Sequence, residues 1–148
     1  MSTTPGSGEN TALIDRLGIE SGMIVQELGY DDDVDQELRE AIEDRIDDDM
    51  VDEDSDEVVD VVILWFREDD GDLVDVLVDA IGPLAENGVI WLLTPKRGRA
   101  GYVEPSDISE AAPTAGLSQT SLLPIGKDWT GARLVSRRSS DRVKGERR

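Results

Sequence analysis

Two uninterrupted apolar runs constrain this chain more than any other feature. Val61 to Phe66 reads VVILWF, and Val89 to Leu93 reads VIWLL. Neither alternates polar with apolar, so each reads as a strand buried on both faces. Such strands need helices above and below the sheet, the layout of an α/β fold with a mostly parallel sheet. The flanking segments carry helical spacing. Val34, Leu38, Ile42 and Ile46 stand four apart on an otherwise charged stretch. Leu73, Leu77, Ile81 and Leu84 form a second stripe, with Val74 and Val78 beside it.

The other elements follow from punctuation. Thr11 to Leu17 has the look of one or two helical turns, ended by Gly18. Gly22 opens a short strand, Met23 to Leu28, which leaves through Gly29. Asp31, Asp32 and Asp33 are N-cap candidates for the helix Val34 to Ile46. Asp47 to Glu57 is an acidic connector into the strand Val58 to Phe66. Gly82-Pro83 should kink or break the second helix, and Asn87-Gly88 should stop it in a left-handed conformation. The strand Val89 to Leu93 ends at Thr94-Pro95. A short helix starts at Glu104-Pro105 and closes between Pro113 and Gly116. Leu117 to Leu123 and Ala132 to Arg137 form a terminal antiparallel pair. The expected organisation is a disordered leader over 1–10, one α/β domain over 11–138 and a basic disordered tail over 139–148.

Composition excludes much chemistry. The 148 residues include no cysteine and no histidine. Disulfides, thiolate nucleophiles, cysteine zinc sites, serine-histidine hydrolysis and HExxH peptidase chemistry are therefore ruled out. The net charge is −19, and 24 of the 34 acids fall between Glu27 and Asp79. A body this acidic repels nucleic acid and anionic membranes. A protein is the expected partner, and oligomeric state is not legible. The N-terminus has no basic or apolar region of the signal-peptide kind, and no apolar run is long enough to span a bilayer, so a cytoplasmic location is expected.

In order and spacing, LGIESGM, VVILWFR, GVIWLLTPK, AGL and DWTGARLV resemble a bacterial family known as the domain of unknown function 3052, in its acid-rich actinobacterial form. The resemblance runs from about Leu13 to Val135. It implies a shortened, small three-layer Rossmann-like (methyltransferase-like) domain with a C-terminal antiparallel hairpin. Methyltransferases carry a Gly-rich loop after the first strand and an acid that binds the cofactor ribose. Here Gly29 stands alone before Tyr30 and three aspartates, and a helix and acidic loop lead straight to VVILWF. Where some such enzymes place Asn or Asp before Pro-Pro, this chain has Phe66, Arg67 and Glu68. No catalytic residue and no cofactor are expected. The chain reads as a non-catalytic interaction or regulatory module.

Three constellations remain. Asp31, Asp33 and Asp35, and Asp52, Asp54 and Asp56, alternate as calcium ligands do. A calcium loop needs Gly at its sixth position and Glu at its twelfth. Counting from Asp52 these are Glu57 and Ile63, and from Asp31 they are Gln36 and Ile42. No metal site is expected. Arg67, Thr94, Lys96, Arg97 and Arg99 should leave neighbouring strands at one sheet edge, where open α/β sheets bind ligands. They either form an anion site, the alternative reading of the chain as a small-molecule binder or enzyme, or neutralise Asp31 to Asp33. Trp129 is expected to fold back onto the sheet rather than face a partner.

Overall fold

The computed structural model describes residues 12–136. A helical segment over residues 12–17 comes first. Then follow β1 (Val25–Leu28), α1 (Gln36–Ile46), β2 (Val59–Trp65), α2 (Leu73–Ile81), β3 (Leu84–Pro95), α3 (Pro105–Thr114), β4 (Leu117–Ile125) and β5 (Trp129–Ser136). One five-stranded sheet runs in the order β1-β2-β3-β5-β4. β1, β2 and β3 are parallel, and β5 and β4 are antiparallel. Both apolar runs lie inside the sheet, as their lack of alternation requires, and the hairpin supplies the far edge. The leader and tail expected at 1–10 and 139–148 lie outside the described residues.

Four local expectations are corrected. β1 starts at Val25 rather than Met23. The N-cap of α1 is Asp35, whose carboxylate accepts from the Leu38 amide, and not one of Asp31 to Asp33. The second helix ends at Ile81, and Leu84 already belongs to β3. Asn87-Gly88 is therefore no helix stop: it lies in the strand, where the register between Val59↔Leu84 and Val61↔Val89 shifts across a bulge. Pro83 decided this, since it cannot extend a helix but is tolerated at a strand entry.

The sheet separates two cores. On one face Leu38, Ile42 and Ile46 of α1 join Ile14, Leu17, Val61, Ile63, Trp91 and Trp129. On the other, Leu73 and Leu77 of α2 and Ile108 and Ala112 of α3 join Val62, Leu64, Ile90 and Leu92. Successive residues of β2 thus feed opposite cores, which is why the run is apolar throughout.

α1 lies on the face opposite α2 and α3, although β1, β2 and β3 step in one direction across the sheet. The acidic connector explains this. Val51 forms an isolated parallel bridge with Gln26 on the outer side of β1, its amide donating to Val25 O and its carbonyl accepting from the Glu27 amide, each at 2.9 Å. The chain leaves β1 outward through α1, touches the sheet once at Val51, and returns to build β2 on the inner side. A right-handed β-α-β path requires that outward step. The direction in which crossovers step across the sheet therefore reverses between β1 and β2, and the crevice beyond their carboxyl ends is the topological switch point.

Candidate functional site at the β1–β2 exit

Arg67 occupies the switch point. It leaves β2 in extended conformation, and its side chain is 11% exposed. Nη1 donates to Gly29 O at 2.8 Å and to Trp65 O at 3.3 Å, tying the ends of β1 and β2 together. Nε donates to Asp33 Oδ2 at 3.0 Å, and Nη2 to Asp33 Oδ1, a two-pronged pair. Asp70 accepts from Nη1 at 3.1 Å and from the Arg67 amide at 3.0 Å. Burial works against the charge, but the hydrogen bonds that Arg67 donates to Asp33 and Asp70 outweigh it, and the guanidinium pKa is raised.

The loop after β1 is anchored from the other side by the hairpin. Trp129 Nε1 donates to Asp33 O at 3.2 Å. The Trp129 ring packs edge-on against Trp65, centroids 4.9 Å apart, and the Arg67 guanidinium lies 5.3 Å from its centre. Trp129 is buried, as expected of a Trp folded back on the sheet. Trp65 Nε1 donates to Glu27 Oε2 at 2.9 Å, and Glu27 holds Arg39 of α1 through bonds of 2.6 and 2.8 Å. Two Trp rings, two Arg and three acids thus tie this edge together.

The hydrogen bond from Arg67 holds the Asp33 carboxyl below the usual aspartate pKa, with the charges of Arg67 and Arg99 adding to the effect. A carboxylate depressed in the folded state stabilises fully above its unfolded pKa and stops doing so as pH falls through its folded value. The stability difference between the native chain and Asp33→Asn should be complete near neutrality and shrink below the ordinary aspartate range, about pH 4. Urea unfolding of both chains across that range checks it. A difference independent of pH would show that the ion pair does not carry the tie.

The structure brings only part of the expected cation group to Asp31–Asp33. Arg67 reaches Asp33. Lys96 Nζ instead donates to Gly126 O at 3.1 Å, and Arg99 pairs with Asp128 at 2.7 Å, both in the β4–β5 turn. Arg97 stacks over Tyr102, 5.9 Å from the ring centre. Thr94 is buried in β3. Among the described residues no cluster of three or more acids is arranged to hold a metal ion.

A cavity of about 760 Å³ opens beside Arg67 on the α2 face. Its origin lies in the shortened chain. In β1, Val25 faces the α1 core, while Gln26 and Leu28 face the opposite side, where α2 and α3 cover β2 and β3. The strip over β1 is left open. Leu28, Leu64 and Phe66 line it from the sheet, Val76 and Pro83 from the α2 side, and Glu53, Ser55 and Asp56 from the connector. Gln26 also lines it. Its Nε2 donates to Asp52 O at 3.0 Å, while its buried Oε1 has no hydrogen-bond partner. Sequence reasoning passed over Gln26. Its signal was a lone uncharged polar side chain in VQEL, at a strand position that alternation assigns to a covered face.

A Rossmann-like sheet whose switch point lies after its first strand and whose last two strands form an antiparallel hairpin defines the methyltransferase-like class. Solved structures agree. A SAM dependent methyltransferase from Aquifex aeolicus matches 88% of this chain and 93% of its own at a TM-score of 0.55 and 12% identity. A ribosomal protein L11 methylase from Lactobacillus delbrueckii subsp. bulgaricus matches 91% of this chain and 80% of its own at 0.53 and 15%. At such identities the likeness is one of fold. Residues 14–138 match the family described as protein of unknown function (DUF3052), and the chain belongs to that family. Uncharacterized proteins of Mycobacterium tuberculosis and Mycobacterium bovis are 55% identical over 124 residues, 84% of this chain and 78% of theirs. Among the described residues no helix is long and apolar enough to cross a membrane.

Proposed function

We propose that this chain is a non-catalytic methyltransferase-like module that acts by binding a protein partner. The observation that carries this reading is the commitment of Arg67 at the switch point. It stands at the crevice where such a sheet would take a cofactor, and its donors are spent on Asp33, Asp70 and two backbone carbonyls. The single Gly29 after β1 supports it, since one glycine makes no phosphate- or cofactor-cradling loop. The absence of His and Cys removes the most versatile proton and group carriers.

The outer side of α1 suits a basic partner. Glu37, Glu40 and Asp44 are exposed there and run on into Asp47, Asp48 and Asp49. Association through such a face should weaken as salt rises. The alternative, an anionic-ligand site, draws less support, because Arg67, Lys96 and Arg99 already have acid or carbonyl partners within the chain.

S-adenosylmethionine is expected to produce no binding heat in calorimetry, and phosphate at fixed ionic strength no shift in melting temperature. Micromolar S-adenosylmethionine binding would overturn the non-catalytic reading. A phosphate-dependent rise in melting temperature, abolished by Arg97→Gln with Arg99→Gln, would favour the anionic-ligand alternative.

A further inference from the structure

We propose that the outer side of α2, with the groove between α2 and α3, docks a basic amphipathic helix of a partner protein. The inference rests on the partner-binding reading above and names the surface and the chemistry of the partner. Only Asp75 and Asp79 among the nine residues of α2 are polar. Leu73, Leu77 and Ala80 are buried in the core beneath the helix and form one stripe. Val74, Val78 and Ile81, four and three residues apart, form a second. Val74 and Ile81 are only partly buried at the margin of the core, and Val78 is 50% exposed. A helix apolar nearly all round is normally covered nearly all round. α1 makes the contrast: its stripe of Leu38, Ile42 and Ile46 is buried, and its outer side is charged.

The second stripe runs into a groove of about 390 Å³ lined by both helices. The buried side chains of Phe66, Leu73, Val103 and Ala111 form its floor, with Val74 on the α2 side. The exposed acids Glu68, Asp72, Asp107 and Glu110 form its rim. An apolar anchor on that floor is ringed by carboxylates, the layout of a helix-in-groove site for a basic segment. Charge decides the occupant. α2 and α3 carry four acids, Asp75, Asp79, Asp107 and Glu110, and neither Lys nor Arg. None of the four is in an ion pair among the described residues. A second copy of this chain would set acid against acid on such a face. The ends of the chain lack the required pattern. Residues 1–11 have no Lys or Arg, and Val143 is the one apolar side chain of residues 137–148. A separate helix, with aliphatic or aromatic anchors at i, i+3 or i+4 and i+7 and Lys or Arg on its flanks, meets both the stripe and the rim.

Fluorescence anisotropy with synthetic peptides of about 18 residues tests this at fixed ionic strength. One peptide places Leu at helical spacing and Lys elsewhere. A scrambled peptide keeps the composition and loses the apolar face. The first should bind the full chain saturably at one site, and the scrambled one at least about tenfold more weakly. Val78→Ser keeps the net charge and should weaken the first peptide about fivefold. Asp107→Asn with Glu110→Gln should weaken it about tenfold. Glu53→Gln with Asp56→Asn removes the same charge from the acidic connector and should change affinity less than about twofold. All these side chains are exposed, so their replacement leaves the core intact. Equal binding of the scrambled peptide, unchanged affinity in Val78→Ser, or equal losses in the two charge variants would overturn the inference, since each means diffuse attraction to an acidic body. So would the absence of saturable binding. A loss confined to Glu37→Gln with Asp44→Asn would place the partner on α1 and overturn this docking face alone. The partner-binding reading falls separately, through the binding of S-adenosylmethionine.

Discussion

Replacing Trp129 with Ala should destabilise the protein by about 3–5 kcal/mol, the range for deleting a buried aromatic side chain. The ring is 1% exposed and lies at the junction of three segments that are remote in sequence. Removing it opens a cavity against Trp65, deprives Asp33 O of its indole donor, and takes the aromatic face away from Arg67. Trp129→Phe separates these contributions. It keeps most of the packing and loses the N–H bond, so it should cost about 1–2 kcal/mol. Urea unfolding followed by circular dichroism measures both. An alanine variant within about 1 kcal/mol of the native chain would show that the loop after β1 does not lean on the hairpin.

The second large effect is expected at Gly29. Its φ is +79°, and a Cβ there would run into the carbonyl oxygen of Trp65 at the end of β2. Gly29→Ala should therefore suffer twice: about 1–3 kcal/mol for the left-handed backbone and a further 1–3 kcal/mol for overpacking against a backbone atom that cannot step aside. Gly98 provides the control. Its φ is +90°, but nothing lies within 4 Å of its added methyl, so Gly98→Ala should show the conformational cost alone. Chemical denaturation of the two variants should differ by the clash. Equal losses would mean that the ends of β1 and β2 are not in close contact.

These two residues hold together the sheet edge at which methyltransferase-like sheets usually bind. A glycine after the first strand ordinarily lets a ligand approach the backbone. Here the space that Gly29 leaves is taken by the chain itself, by Trp65 O and by the Arg67 guanidinium that bonds both strand ends. The hairpin tryptophan then holds the loop down. Among the described residues, the sheet continues outside β1 only as the one bridge at Val51, and the cavity lies over β1 on the α2 side.

The sequence by itself determined the layers. VVILWF and VIWLL are apolar at every position, and only a strand covered on both faces tolerates that. The stripe Leu38, Ile42, Ile46 could bury only one side of a helix. The clash of charges at one sheet edge was also legible, because parallel strands release Gly29, Arg67 and Lys96 on the same side. Tertiary structure alone decided the partners. Arg67 found Asp33, 34 residues away, whereas Arg99 and Lys96 turned to the β4–β5 turn. Long side chains select among several nearby acids by geometry, and composition carries no record of that choice. The bridge at Val51 was likewise invisible, since one paired residue leaves no periodicity. The cavity over β1 and the unmet acceptor of Gln26 were hidden for a related reason: a sequence records which residues want to be covered, and only the folded chain shows where the cover is missing.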